Sequence, residues 1–413
     1  MPLYRYAALE GGGAKGFIYL GVAEALAKLG VLDELEAISG ASVGAMGALL
    51  LSTGWPVEKM KTLFNELKFS ELASGGLWEK ITSPYTYLKW FGLHRADRFH
   101  ELFKRIVKEV TGNENTTFAQ WHQFKLDHPE LKLKDISVEA CNLNTQLNET
   151  FSYKTKHKDV PIADAVRASM GFPVYFTPWK INGSLYGDGG EQNNCPSNVF
   201  EEKEGEFNPQ VLTVRLDSMD EIRYFKHGVL PKPVEIKTAV ECTFAHFEAA
   251  LNAQNRLFHQ SPYKDTTVYC DTLDVPTLKF DLSDDEKTAL RASGEYAVIR
   301  YFHKHHPDIT EKACDKDTLR QLKEAEHPIS FTEFLHKQGA HLERPVLSSS
   351  SSDLDEGLLT APGKAAPLYH RWRDLSHMKN KCKQFTPIDY EALHYKRTLP
   401  SKQSPRRVSM GRG

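Results

Sequence analysis

A serine flanked by glycines is the part of this sequence best suited to covalent chemistry. Residues 40–44 read Gly-Ala-Ser-Val-Gly and fit the pattern G-x-S-x-G, in which a sharp turn between a strand and a helix exposes a nucleophilic hydroxyl. Gly40 and Gly44 give that turn room to pack closely. Ser42 also suits the N-cap of the helix that follows, so two interpretations are open at this point.

The second candidate is Asp188, which lies in Tyr-Gly-Asp-Gly-Gly at residues 186–190 and is followed by Asn-Cys-Pro at 194–196. A strand is predicted over residues 180–186, so we expect the carboxylate to be exposed on a tight turn. Such an aspartate is often only a turn residue. Beside a serine it is the natural base, because a hydroxyl is a weak nucleophile until its proton is removed.

A glycine-rich loop precedes both candidates and consists of Gly11, Gly12, Gly13, Ala14, Lys15 and Gly16. Glycines between a strand and a helix let several backbone N–H groups approach one anionic atom. The following helix adds the positive end of its dipole. The loop is therefore a phosphate cradle or an oxyanion hole.

Three known uses of glycine motifs compete with the oxyanion hole. Dinucleotide-binding folds share G-x-G-x-x-G but need an acidic residue at the end of the second strand, where this chain has Ser-Gly-Ala-Ser at 39–42. A P-loop needs Gly-Lys-Ser or Gly-Lys-Thr, and neither occurs. An α/β-hydrolase usually places several strands before its serine, whereas only two fit before Ser42. The oxyanion hole is the use that survives.

The predicted elements bring these residues together. Strands are predicted over 4–9 and 35–39, and helices over 17–29 and 45–51. A right-handed crossover between the two strands places both turns at the same edge of a parallel sheet. The other predicted elements are helices over 97–112 and 162–169, a helix opened by a capping box at Thr117–Gln120, and strands over 136–143, 149–154 and 211–216.

Together these motifs resemble the patatin-like phospholipase family, whose four blocks occur here in order. They are G-G-G-x-[R/K]-G at 11–16, G-x-S-x-G at 40–44, Ala-Ser…Pro…Phe-x-Pro at 168–178, and D-G-[G/A] at 188–190. The likeness extends to about residue 305. It implies an α/β fold with a three-layer α/β/α sheet.

The resemblance also implies a chemistry, the hydrolysis of fatty-acyl esters of phospholipids through an acyl-enzyme. Ser42 and Asp188 are the implied catalytic dyad, and Gly189 and Gly190 complete the aspartate loop. The N–H groups of the loop at 11–16, those of Gly12, Gly13 and Ala14 above all, are the implied oxyanion hole. Lys15 is expected to anchor the loop or attract a lipid phosphate. No cofactor and no metal ion are implied.

Composition limits the surroundings of this chemistry. The chain has 413 residues, 40% of them hydrophobic, and a net charge of −2. Six cysteines without paired spacing fit a reducing cytosol. No secretory signal or membrane span is evident, so we expect a cytoplasmic protein that associates peripherally with membranes and does not bind nucleic acid. The aromatic stretch at 77–91 is either a lid or membrane-contacting cap, or a set of rings that pack between helices.

Three parts are predicted along the chain: a catalytic domain (1–305), a helical extension (306–345), and a serine-containing linker with a flexible basic tail (346–413). Residues 361–413 hold 12 Lys and Arg against 3 Asp and Glu, a net charge of +9. This tail is either a disordered end or a contact to anionic lipid. The C-terminal region is also the candidate contact for a protein activator or partner. The alternative to an enzyme is a catalytically silent scaffold that binds lipid or protein.

Overall fold

The computed structural model describes residues 3–66, 89–218 and 221–319, the last range without 222–223, 226–229, 231–232, 234, 238, 274 and 317. The predicted linker and tail, and most of the predicted helical extension, lie outside these residues. So does most of the aromatic stretch at 77–91, of which Trp90 and Phe91 are described and exposed.

A mixed sheet of eight strands forms the centre of the protein, and two further strands form a separate parallel pair. In chain order the strands are β1 (Tyr6–Leu9), β2 (Ala37–Ala41), β3 (Gly92–His94), β4 (Asp135–Asn142), β5 (Leu147–Phe151), β6 (Val174–Phe176), β7 (Trp179–Ile181), β8 (Ser184–Asp188), β9 (Val211–Asp217) and β10 (Thr267–Asp271). The sheet order is β10-β9-β1-β2-β4-β8-β7, with β5 also paired to β4. The first five strands of this order are parallel, whereas β5 and β8 run antiparallel to β4.

Helices flank this sheet. In chain order the α-helices are α1 (Ile18–Lys28), α2 (Val43–Ser52), α3 (Val57–Glu66), α4 (Asp97–Thr111), α5 (Phe118–Asp127), α6 (Ile162–Ser169), α7 (Gly190–Asn193), α8 (Ala239–Phe258), α9 (Asp284–His305) and α10 (Pro307–Ala313). Among the described residues, no helix combines the length and apolar composition that a membrane crossing requires.

Both faces of the sheet are buried. Ala7 and Leu9 of β1 belong to the main hydrophobic core, whereas Ala8, with Val211 and Tyr263, belongs to a second, smaller cluster. Because neighbouring residues of a strand point to opposite faces, the two clusters lie on opposite sides. The predicted α/β/α arrangement, a central sheet between helices, is confirmed.

Local signals in the sequence account for several helix boundaries. Thr117 and Gln120 form the predicted capping box at the start of α5, with each side chain bonded to the backbone of the other residue. The predicted helix at 97–112 ends in a left-handed glycine, Gly112, as expected from the sequence. A second capping box, formed by Ser283 and Glu286, opens α9.

Three predicted strands differ from the structure, and one of them, predicted over 149–154, is β5 at 147–151. The single strand predicted over 180–186 is the hairpin of β7 and β8, because Asn182 and Gly183 both adopt positive φ, 48° and 90°. An Asn-Gly pair favours this type of tight turn. The strand predicted over 35–39 lies at 37–41 instead, so β2 runs directly into Ser42.

The register around β4 determines which strand ends meet. Residues 138 and 139 of β4 pair with β2 and also with β5, so these two strands occupy opposite edges of β4. β5 pairs along 138–142, which leaves β8 to pair with 140–142 on the edge that β2 uses. Ala41 is opposite Glu139, and Asp188 is opposite Ala140. β2 and β8 thus approach each other end to end.

Candidate active site

Ser42 lies at the turn between β2 and α2 in a strained backbone conformation, with φ 53° and ψ −126°. A positive φ is uncommon for a residue with a side chain, and it is the geometry expected at the tip of a nucleophile elbow. Ser42 occupies the N-cap position of α2, but its side chain makes no capping hydrogen bond. The capping interpretation of this serine is therefore wrong.

Gly40 and Gly44 make the turn possible by their lack of side chains. A Cβ atom at Gly40 would overlap the carbonyl oxygen of Gly44, and a Cβ atom at Gly44 would overlap the carbonyl oxygen of Leu9 in β1. Both obstacles are backbone atoms, which cannot rotate aside. The G-x-S-x-G spacing is thus required by packing as well as by the turn itself.

Asp188 accepts a hydrogen bond from the Ser42 hydroxyl. The distance from Ser42 Oγ to Asp188 Oδ2 is 2.8 Å, and Oδ1 of the same carboxylate accepts the N–H of Gly190, also at 2.8 Å. Contrary to the expectation of an exposed turn residue, Asp188 is the last residue of β8 and is only 2% exposed. The side chain is buried because β8 ends inside the sheet, beside β4.

Burial changes the acidity of this carboxyl group. Removal from water raises the pKa of Asp188 to about 7, although the hydrogen bonds from Ser42 and Gly190 act in the opposite direction. The nearby Glu191 carboxylate adds a smaller upward contribution. An aspartate with a pKa near neutrality is matched to proton transfer at physiological pH.

Ser169 also supports the elbow. Its side-chain oxygen accepts the backbone N–H of Ser42 at 2.8 Å, and the residue is fully buried at the end of α6. Ser169 lies in the third motif block, but the sequence alone gave it no role. The contact crosses 127 residues of sequence, so no local spacing could have indicated it.

The glycine loop lies against the same site. Gly12 and Gly13 line a cavity that also contains Ser42 and Asp188, and among the described residues no acceptor takes their N–H groups. The N–H of Ala14, one of the implied oxyanion donors, instead donates to the carbonyl of Thr277 at 2.8 Å. It is engaged because the loop at 277 packs directly on Gly13, whose φ is +58°.

The remaining loop residues have distinct surroundings. The N–H of Gly11 donates to the carbonyl of Asn194 at 3.0 Å. Lys15 lines the cavity beside Glu248, and Gly16 leaves space for the side chain of Val43. These contacts hold the loop against both the elbow and the segment that follows Asp188.

Two small cavities meet at Ser42. The first, of about 20 Å³, is apolar, and its walls include Phe99, Met170, Phe172, Phe176 and Phe280. The second, of about 40 Å³, contains Asp188 and the glycine loop. Such volumes hold a few water molecules, so an acyl chain needs side chains to move aside. In the described part of the chain, no three His, Cys, Asp or Glu residues are arranged to hold a metal ion.

A buried ionic cluster, formed by Glu10, Arg215 and Asp217, holds the base of the glycine loop. Arg215 is 1% exposed, and its Nη2 lies 3.2 Å from Glu10 Oε1 and 2.8 Å from Asp217 Oδ1. Glu10 Oε2 accepts the N–H of Leu216 at 2.7 Å. Burial raises the pKa of Glu10 to about 7 against the opposing effect of Arg215. No motif in the sequence marks this cluster. The available signal was an arginine in a predicted core strand, because a buried charge needs a partner.

Comparison with known proteins finds sequence similarity over about the first half of the chain. The model that describes patatin-like phospholipases matches residues 7–200. The chain is 30% identical over 196 residues to protein R571 of Acanthamoeba polyphaga mimivirus. The aligned residues cover 47% of this chain and 61% of that protein. It is 29% identical over 197 residues to the probable lipid hydrolase 463L of Invertebrate iridescent virus 6. This alignment covers 48% of this chain and 63% of that protein.

Two further proteins are similar over a longer part of the chain. Protein YqhO of Bacillus subtilis is 24% identical over 304 residues, 71% of this chain and 96% of that protein. The crystal structure of VipD from Legionella pneumophila superposes with a TM-score of 0.48 at 19% identity, covering 74% of this chain and 67% of that one. The chain matches a little over three fifths of the length of the two viral relatives.

Proposed function

Residues 7–200 match the model of the patatin-like phospholipase family, and from this match we propose that the protein is a lipid acyl hydrolase that cleaves fatty-acyl esters of membrane phospholipids. The observation that carries the proposal is the 2.8 Å hydrogen bond from Ser42, at a strained turn, to the buried carboxylate of Asp188. A relative of similar sequence, protein 463L, is named a probable lipid hydrolase.

The proposed reaction begins with a proton transfer. Asp188 takes the proton of Ser42 as Oγ attacks the ester carbonyl, and the carbonyl oxygen becomes an oxyanion. The N–H groups of Gly12 and Gly13 are the proposed donors to that oxyanion, since Ala14 is already engaged. One such donor is typically worth about 10²–10³ in rate.

The second half of the reaction regenerates the enzyme. Collapse of the tetrahedral intermediate breaks the bond to the lipid alcohol, which leaves with the proton held by Asp188, and Ser42 carries the fatty acyl group. Asp188 then takes a proton from water, the resulting hydroxide attacks the acyl-enzyme, and the fatty acid is released as the proton returns to Ser42 Oγ. In each half of the reaction, Asp188 first accepts a proton as a base and then donates it as an acid.

The apolar cavity beside Ser42 is the proposed start of the acyl-binding site. Phe99, Met170 and Phe176 are among its walls, and an aliphatic chain placed there would be removed from water. The second cavity, with Lys15 and the glycine loop, is left for the polar side of the ester. This arrangement supports a lipid ester in preference to a small polar one.

The experiment is the release of fatty acids from a panel of phospholipid vesicles by the full-length protein. Ser42→Ala is the control, because it removes the nucleophile and only one oxygen atom. Release by the wild-type protein that the control loses supports the proposal. No release of any acyl chain from the panel or from a soluble ester contradicts it and favours a silent scaffold.

A further inference from the structure

A glutamine outside the matched family segment contacts the residues that directly follow Asp188. Gln254 lies on α8, beyond the matched residues 7–200. Its Nε2 donates to the carbonyl oxygens of Gly190 and Glu191, at 2.9 and 3.0 Å. Its Oε1 accepts the N–H of Asn194 at 3.0 Å. One side-chain amide thus makes three hydrogen bonds to the backbone around α7.

These bonds enclose a short segment that holds Asp188. Helix α7 has four residues, and the N–H of Gly190, at its start, donates to Asp188 Oδ1 at 2.8 Å. The carbonyl of Gly190 is one of the two that Gln254 binds. A shift of this segment therefore moves the donor that orients the Asp188 carboxylate.

The same segment is bonded to the glycine loop. Asn194 makes two bonds to the loop and the residue before it. Its backbone carbonyl accepts the N–H of Gly11 at 3.0 Å, and its side-chain Nδ2 donates to Glu10 Oε1 at 3.3 Å. Since the N–H of Asn194 donates to Gln254, Asn194 connects α8 to the loop that contains Gly12 and Gly13. The aspartate and the proposed oxyanion donors share one support.

We propose that Gln254 is a positioning residue, which keeps the Asp188 carboxylate and the glycine loop in register with Ser42. The proposal rests on the function proposed above, because it assigns a role relative to the Ser42–Asp188 dyad. It makes α8, a helix outside the matched family segment, part of the structure on which catalysis depends.

The helix has other contacts that attach it to the domain. The rings of Phe244 and Phe247 lie 5.5 and 4.6 Å from that of Phe172, and Asn255 Nδ2 donates to Glu221 Oε1 at 3.1 Å. Loss of the Gln254 amide therefore leaves α8 with its aromatic and polar attachments. This separation allows positioning to be tested apart from docking of the helix.

The test compares three variants of the full-length protein. Gln254→Met keeps the length of the side chain and removes all three hydrogen bonds. Gln254→Glu keeps an acceptor for the N–H of Asn194. It has no N–H group to donate to the carbonyl oxygens of Gly190 and Glu191. Asn252→Ala, on an exposed position of the same helix, is the matched control. The measurements are kcat and KM for a soluble short-chain ester, labelling of Ser42 by a fluorophosphonate, melting temperature, and hydrogen exchange of the segment at 189–195.

We expect kcat to fall about 10- to 100-fold in Gln254→Met, since a displacement near 1 Å can cost about 10²-fold. KM for the short ester and the melting temperature should change little, and exchange at 189–195 should become faster. Gln254→Glu should be at least as impaired, and Asn252→Ala should match the wild type in all four measurements.

Three outcomes contradict the proposals: the first two contradict the positioning role, and the third contradicts the proposed function. If the wild-type protein labels at Ser42 and hydrolyses the ester, but Gln254→Met has an unchanged kcat, the positioning role is wrong and the dyad stands. The role is also overturned if the loss of kcat in Gln254→Met is fully explained by the fraction of the protein that is unfolded. If the wild-type protein shows neither labelling nor hydrolysis, the proposed function fails, whereas faster exchange at 189–195 would still report the contacts of Gln254.

Discussion

At the scale of single residues, the environment of Asp188 is set by the fold. The carboxyl group ends a buried strand, receives hydrogen bonds from Ser42 and Gly190, and has its pKa raised to about 7 by burial. These features differ from those of a turn aspartate, which stays ionised and exposed. They lead to three predictions: one on the joint action of the pair, one on the pH dependence of activity and one on the pH dependence of stability.

The first prediction concerns the joint action of Ser42 and Asp188. Ser42→Ala and Asp188→Asn should each reduce esterase activity to near the limit of detection while the protein stays folded. Residues that act as a unit are non-additive, so the double variant should be no worse than either single one. Hydrolysis of a soluble short-chain ester and circular dichroism check this. Substantial activity in either single variant would contradict the dyad.

The second prediction concerns pH. Because the base must be ionised, kcat/KM for the same ester should rise with pH and level off above the pKa of Asp188, about 7. A rise centred near pH 4 would contradict the raised pKa, because it is the titration of an ordinary, solvated carboxyl group.

The same shift has a consequence for stability. Folding raises the pKa of Asp188 above its ordinary value of 3.8, so the resulting stabilisation is complete below that value and is lost as pH rises through about 7. Asp188→Asn has no such loss. Its melting temperature relative to wild type should therefore increase between about pH 5 and about pH 8. A difference that stays constant with pH would disprove the raised pKa.

At the scale of elements, the elbow depends on close packing between β1, β2 and α2. In Gly44→Ala the new methyl group would meet the carbonyl of Leu9, and overpacking of this kind typically costs about 1–3 kcal/mol. We expect a matching loss of stability in urea unfolding and a loss of esterase activity per folded molecule, because the turn that presents Ser42 is displaced.

The matched control for crowding is Gly30→Ala. Gly30 has φ +74° and nothing within 4 Å of a built Cβ, so only the left-handed backbone is penalised, by about 1–2 kcal/mol. This variant should lose stability but keep its activity per folded molecule. Equal loss of activity in both variants would mean that activity follows stability and that packing at the elbow has no special role.

How far the sequence predicts these elements depends on the range of the contacts. Ser42, Asp188 and the glycine loop are marked by local motifs, and the capping box at Thr117 is read from four consecutive residues. The burial of Asp188 and the roles of Ser169 and Gln254 come from pairings across long stretches of chain. Local spacing does not specify such pairings, so they required the assembled sheet.

At the scale of the whole molecule, the family model matches residues 7–200. The bounds of the regions beyond residue 200 are predicted from the sequence. The predicted division at residues 305 and 345 stays a prediction, as does the role of the tail. The tail is nevertheless testable by itself, because Ser42, Asp188 and the loop all precede residue 200.

The fifth prediction is that the basic tail controls membrane binding and leaves the chemistry unchanged. Deletion of residues 346–413 should spare hydrolysis of a soluble ester. It should weaken sedimentation with anionic vesicles at low salt, since each basic residue near such a surface contributes up to about 1 kcal/mol. Zwitterionic vesicles are the control. Equal binding of both forms to anionic vesicles at low ionic strength would leave the tail without this role.

The end-to-end meeting of β2 and β8 along β4 has a consequence for biogenesis. Ser42 and Asp188 are 146 residues apart in the chain, and the edge that joins them exists only after β4 has paired with both strands. Contacts of such long range form slowly and late. During synthesis and refolding, a chain with its helices already formed therefore still has Ser42 apart from its proposed base. The proposed hydrolase activity is expected to appear only when β4 has paired with both strands.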